Sequence, residues 1–152
     1  MATKNEELRV LVTGASGYIG GHCVVDLLRR GYRVRGTVRG PGKRADVERL
    51  ADRAPGSQGR LEIVEADLAN DRGWAEAVRD CAYVLHVASP FPANVPDDEM
   101  EVIGPAVDGT KRVLAAAAAT RGGVKRVVLT SSIAAVAYGR RDSSDKVFTE
   151  DD

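Results

Sequence analysis

The stretch LRVLVTGASGYIGGHCVVDLLRRGYRVRGTVR, Leu8 to Arg39, decides the fold. Leu8–Thr13 is a short apolar run that reads as a buried strand, and Gly14–Gly20 is glycine-rich. Ile19, Cys23, Leu27 and the neighbouring Leu28 then recur with helical period, and Gly31 closes that helix. Tyr32–Val38 reads as a second strand. Strand, glycine turn, helix and strand make a unit whose two strands run parallel.

Thr13-Gly14-Ala15-Ser16-Gly17-Tyr18-Ile19-Gly20 is TGxxGxxG, placed between strand and helix. Gly14 permits the tight turn, Gly17 lets the backbone come close to a pyrophosphate, and Gly20 lets the helix pack hard against the strand. The helix N-terminus presents N–H groups and a positive dipole end to the phosphates. The pattern predicts a dinucleotide site built from Thr13, Gly14, Ser16, Gly17, Tyr18, Ile19 and Gly20. The tip of the second strand then lies beside the adenosine ribose, where an acid accepts from a 2′-hydroxyl and a cation accommodates a 2′-phosphate. Here GTVRGPGKR supplies Arg39, with Lys43 and Arg44 close behind and no acid before Asp46. That predicts NADP(H) as the cofactor.

The pattern repeats along the chain. Val47, Leu50 and Ala51 mark a short helix, Ala54–Gly59 a turn, and Leu61–Ala66 a third strand. Asp71 is placed to N-cap a helix carrying Trp74, Ala77 and Val78. Tyr83–Ala88 reads as a fourth strand, followed by a proline-rich loop. Ile103, Val107, Thr110, Leu114 and Ala117 form an amphipathic helical stripe, which Arg121–Gly123 ends. Val124–Thr130 reads as a fifth strand. Strands alternating with helices predict an α/β, Rossmann-type doubly wound parallel sheet of about five strands, one domain over residues 1–152.

Composition narrows the function. The 152 residues, 43% hydrophobic and 29% charged, are those of a soluble globular domain. Lys plus Arg and Asp plus Glu are both 22, so bulk charge supports neither nucleic-acid nor membrane binding. MATKNEEL has no apolar leader core, and no apolar run approaches the roughly 18 residues of a membrane span. The expected location is cytoplasmic. Cys23 and Cys81 fall in runs that read as helix and strand and are expected to be reduced core thiols. His22 and His86 stand alone without metal-ligand spacing, so no metal is expected.

With VTGASGYIGGH, GTVR, EADL (Glu65–Leu68), VLHVASPF (Val84–Phe91), PAVDGTKRVLAAA (Pro105–Ala117) and VKRVVLTSSIAAVAYG (Val124–Gly139), the chain resembles the extended short-chain dehydrogenase/reductase superfamily. Within it, the sequence is most similar to the dihydroflavonol reductase and cinnamoyl-CoA reductase group and its aldehyde- and ketone-reductase relatives. The resemblance implies an NADP-dependent oxidoreductase acting on a small-molecule carbonyl substrate. It implies that Asp67 and Leu68 lie along the adenine and that Val87, Ala88 and Ser89, with Pro90, line the cofactor. His86, in the same motif, reads as a packed strand residue. Thr130, Ser131 and Ser132 match the [ST]SS motif ending the fifth strand, with Ser132 as the catalytic serine that donates to the substrate carbonyl oxygen.

The resemblance also implies a Tyr-x-x-x-Lys helix, and this sequence contains none: His22, Gly36, Val87 and Asp142 stand four residues after Tyr18, Tyr32, Tyr83 and Tyr138. Tyr138 matches the YG of the serine loop instead. The expectation is a chain truncated before the sixth strand and the substrate-binding region, possessing the cofactor-binding portion and inactive alone. Its fifth-strand edge would favour self-association. Two alternatives stand beside this: a nucleotide-sugar epimerase or dehydratase of the same superfamily, and a non-catalytic dinucleotide-binding module.

Overall fold

The computed structural model describes residues 5–90, 94, 96–120, 122–139, 146–149, 151 and 152. Phe91 and Arg121, which belong to motifs singled out above, lie outside the described residues. Strands and helices alternate in the order β1 (Arg9–Thr13), α1 (Tyr18–Arg29), β2 (Arg33–Val38), a 3-10 turn (Pro41–Lys43), α2 (Arg44–Ala51), β3 (Leu61–Glu65), α3 (Trp74–Val78), β4 (Tyr83–His86), α4 (Met100–Ala119), β5 (Arg126–Leu129) and α5 (Ile133–Ala137). The five strands form one sheet in the order β3-β2-β1-β4-β5, and every pairing is parallel. This is the doubly wound arrangement expected.

Alternation along β1 sorts the core. Val12 packs with Val24, Leu28, Val38, Val47 and Ile63 under α1 and α2, whereas Leu11 packs with Trp74, Ala77, Val78, Val84 and Val113 under α3 and α4. Both faces of the central strands are covered, which is why β1 reads as a continuous apolar run. Helix α1 closes with a Schellman motif: Gly31 N–H donates to Leu28 O and Tyr32 N–H to Leu27 O.

Four expectations need correction. The N-cap of α3 is Gly73, not Asp71, whose carboxylate instead receives the Arg112 guanidinium from α4. Cys81 lies in the turn before β4 rather than in a strand, though it is buried and its thiol is free, as is that of Cys23 in α1. β4 stops at His86, because the amides of Val87 and Ala88 turn to the Thr13 side chain instead of continuing the ladder. In α4 the inward residues are Gly109, Val113 and Ala117, while Ile103, Val107 and Leu114 of the expected stripe are exposed. Gly109 lies on the inward side: a β-carbon there would stand 2.8 Å from Leu68 Cβ, so this side of the helix is pressed against the loop after β3. Among the described residues no helix is long and apolar enough to cross a membrane.

Candidate functional site

In a parallel sheet of this winding, the loops leaving the carboxyl ends of the strands meet on one side of the molecule. Here they enclose a cleft of about 710 Å³. Its walls come from the β1–α1 turn (Gly14, Ser16 to Gly20), the end of β2 and its loop (Thr37, Val38, Arg39, Lys43), the β3–α3 turn (Ala66–Ala69), the segment after β4 (Val87–Pro90), and Trp74 and Pro105.

The β1–α1 turn is built by close backbone contacts. Gly14 has φ +68°, a left-handed conformation that glycine adopts without strain. Its N–H donates to Thr37 Oγ1 at 3.1 Å, and Ala15 N–H donates to Thr37 O at 3.0 Å, so the turn is pinned to β2 by both ends of one residue. Gly17 is the N-cap of α1 and provides no side-chain cap. The helical ladder begins with Gly21 N–H on Gly17 O (2.8 Å), so the amides of Tyr18, Ile19 and Gly20 precede it. An added β-carbon at Gly17 would meet only Gly14 O, at 3.3 Å, so the outer side of this residue is open. Uncapped amides beside open space suit a phosphate group.

Two exposed cations line the cleft, Arg39 and Lys43, the latter 3.4 Å from Asp46. Arg44 does not join them: its guanidinium reaches back to Ile63 O at 2.8 Å, and it is absent from the cleft wall. Asp67 lines the cleft while its Oδ1 accepts from Ala69 N–H at 3.0 Å. Leu68 beside it is buried.

Thr13 is wholly buried and stays behind the wall. Its Oγ1 accepts from Val87 N–H (3.0 Å) and Ala88 N–H (2.9 Å) and lies 2.8 Å from His86 Nδ1. His86 is 1% exposed, its Nε2 finds no partner among the described residues, and burial pushes its pKa below the ordinary value. Thr130, Ser131 and Ser132 lie at the carboxyl end of β5, exposed and outside the cleft wall. Ser132 is the N-cap of α5, where its Oγ accepts from Ala134 N–H at 3.1 Å. Tyr138 is the C-cap of that helix and is exposed.

Thr37, Val38, Ala66, Ala69, Trp74 and Pro105 line the cleft without having been singled out for it, and two of them, Thr37 and Trp74, hold its walls in place. Thr37 lies in a quoted motif, but its role depends on the pairing of β2 beside β1. The indole of Trp74 donates to Asp67 O (3.0 Å) and Asn70 O (3.1 Å), so a residue read only as core fixes the β3–α3 turn. Among the described residues no group of three His, Cys, Asp or Glu is placed to hold a metal ion.

Comparisons agree with this geometry. The profile of the NAD dependent epimerase/dehydratase family matches residues 10–152. A cinnamoyl-CoA reductase of Medicago truncatula is 42% identical over 151 residues, covering 99% of this chain and 46% of the relative. A dihydroflavonol 4-reductase of Zea mays is 43% identical over 135 residues, covering 89% and 37%. The chain therefore spans less than half the length of these relatives. Among solved structures, the yeast methylglyoxal/isovaleraldehyde reductase complexed with NADPH superposes with a TM-score of 0.71 at 36% identity, covering 85% of this chain and 38% of that one. Vestitone reductase from alfalfa superposes with a TM-score of 0.69 at 34% identity, covering 88% and 39%.

Proposed function

The chain belongs to the NAD dependent epimerase/dehydratase family, and on that premise we propose that it holds NADP(H) for a reductase of small-molecule carbonyl compounds. The observation that carries this reading is one cleft lined by uncapped helix amides and by Arg39 and Lys43. The amides at Tyr18–Gly20 hold the diphosphate, and Arg39 with Lys43 hold a phosphate on the adenosine ribose. The Asp67–Leu68 turn lies along the adenine, and Val87–Ser89 line the opposite half. When bound, the cofactor supplies hydride. Ser132, whose Oγ accepts a capping bond, keeps its own hydrogen to donate to a substrate oxygen. The reductase names of the plant and yeast relatives favour this reading over an epimerase. Residues 1–152 bind the cofactor without turning over carbonyl compounds.

The test is calorimetric titration with NADPH and NADH. A charge-assisted hydrogen bond to phosphate contributes about 1.5–3 kcal/mol, so NADPH should bind roughly tenfold or more tighter. Arg39→Asp should erase or invert that preference. Equal affinities for the two cofactors would overturn the assignment of Arg39.

A further inference from the structure

Thr13 Oγ1 has three neighbours and one hydrogen. Val87 N–H and Ala88 N–H can only donate, and they occupy both lone pairs of the hydroxyl, at 3.0 and 2.9 Å. The hydroxyl hydrogen must then go to the remaining neighbour, His86 Nδ1 at 2.8 Å. Nδ1 is therefore the bare, accepting nitrogen, and the ring proton resides on Nε2, which has no partner among the described residues. A buried donor without a partner is costly, and an apolar residue at this position would avoid that cost. What the imidazole provides in exchange is an acceptor that fixes the rotation of the Thr13 hydroxyl.

We propose that His86 is a positioning residue of the cleft: by accepting the Thr13 hydroxyl hydrogen at Nδ1, it aims both Thr13 lone pairs at Val87 and Ala88 and so fixes the wall segment Val87–Ser89. The ring touches neither cleft nor substrate; it acts through Thr13. Paired strands supply the rigidity, since Thr13 and His86 are register partners at the carboxyl ends of β1 and β4. Ala88 also abuts the glycine turn: a β-carbon on Gly14 would stand 3.1 Å from Ala88 Cα. The chain of contacts thus runs from His86 through Thr13 and Ala88 to the turn that opens α1. Its consequence for cofactor affinity rests on the proposed function; its consequence for the backbone does not.

The test combines a spectroscopic signature with two near-isosteric variants of the full 152-residue chain. Nitrogen-15 NMR of the histidine side chains at neutral pH should show His86 protonated at Nε2 and bare at Nδ1; a proton on Nδ1 overturns the proposal. His86→Asn places an amide oxygen where Nδ1 lies, whereas His86→Gln places its polar atoms near Nε2. Hydrogen exchange at the Val87 and Ala88 amides should rise about tenfold in His86→Gln and return toward the original rate in His86→Asn, in line with the loss and restoration of one hydrogen bond. NADPH dissociation constants should follow the same order. Equal behaviour of the Asn and Gln variants would overturn the proposal. So would unchanged exchange in both. Should the unsubstituted chain bind no NADPH, the functional reading fails, while the tautomer and the exchange rates still decide the role of His86.

Discussion

Gly20 lies against the carbonyl of Gly14, so close that a β-carbon on Gly20 would stand 2.2 Å from the oxygen. No relaxation of a flexible side chain can relieve this, because the opposing atom is backbone in a turn that Thr37 pins to β2. Gly20→Ala should therefore destabilise the fold by about 2–4 kcal/mol, in the range of other sterically forced core changes. The midpoint of urea unfolding measures it. An unchanged midpoint would show that the turn can yield.

Gly17, three residues earlier, separates binding from folding. Its φ of −78° and ψ of 164° are open to any residue, and only Gly14 O lies near a new β-carbon. Gly17→Val should remove NADPH binding at a smaller cost to the unfolding midpoint than Gly20→Ala, because its β-carbon meets the Gly14 carbonyl at 3.3 rather than 2.2 Å while the side chain occupies the space beside the Tyr18–Gly20 amides. Retained affinity in a folded Gly17→Val chain would move the phosphate site elsewhere.

Arg35 illustrates what the sequence conceals. It reads as one more basic residue of β2, yet it is 2% exposed, and its guanidinium donates to the Glu76, Ala77 and Arg79 carbonyls at the end of α3 and to Glu62. A cation at a helix C-terminus satisfies carbonyls that the helix leaves open. Arg35→Leu would remove the guanidinium from these three carbonyls; Glu76 O keeps Arg79 N–H and Ala77 O keeps the Cys81 thiol, so a loss of about 1–3 kcal/mol is expected in the same unfolding measurement. A neutral result would mean that water replaces the guanidinium.

The legible and the hidden parts of the molecule differ in range. The strands, α1 and the glycine turn are encoded by neighbouring residues, and the sequence order alone located them to within a residue or two. Arg39 and Lys43 both line the cleft, whereas the Arg44 guanidinium reaches Ile63 O on β3 and is absent from its wall. Thr37, Trp74 and the Thr13–His86 pair depend on which strands and turns become neighbours, and local pattern carries no such information. The orientation of α4 was hidden in the same way. Gly109, Val113 and Ala117 form its inward line, where Gly109 meets Leu68 and Val113 joins the core, and Ile103, Val107 and Leu114 are left on the other side.

Burial of His86 has a pH consequence. Its folded-state pKa lies below the 6.5 of the free side chain, owing to desolvation. Between the two values the unfolded chain binds the proton and the folded chain does not. Stability is thus fully present above about pH 6.5 and falls as acidification passes through that value toward the folded pKa, below which the loss saturates. Denaturation midpoints measured from pH 7.5 down to 5 should show this decline, and His86→Asn should flatten the part due to the ring. An identical slope in that variant would assign the decline to carboxylates.

Reduction of a carbonyl leaves negative charge on oxygen and needs a positioned proton donor. The Ser132 hydroxyl can hydrogen-bond such an oxygen but is too weak an acid to give up its proton, and no Tyr-x-x-x-Lys pair stands anywhere in the 152 residues. Residues 1–152 should therefore oxidise no NADPH in the presence of aldehydes or ketones, whatever cofactor they bind. The same chain presents β5 at the end of its sheet, with Val128 and Leu129 each 51% exposed and Ile133 77% exposed beyond them. An open apolar strand edge recruits further strands, so light scattering should report a mass above that of the 16.2 kDa monomer. Charged substitution on the exposed face, Val128→Lys, should bring the mass down toward the monomer. Carbonyl-dependent NADPH oxidation above background would place a proton donor within these residues. A monomer at high concentration would show that the β5 edge is protected as it stands.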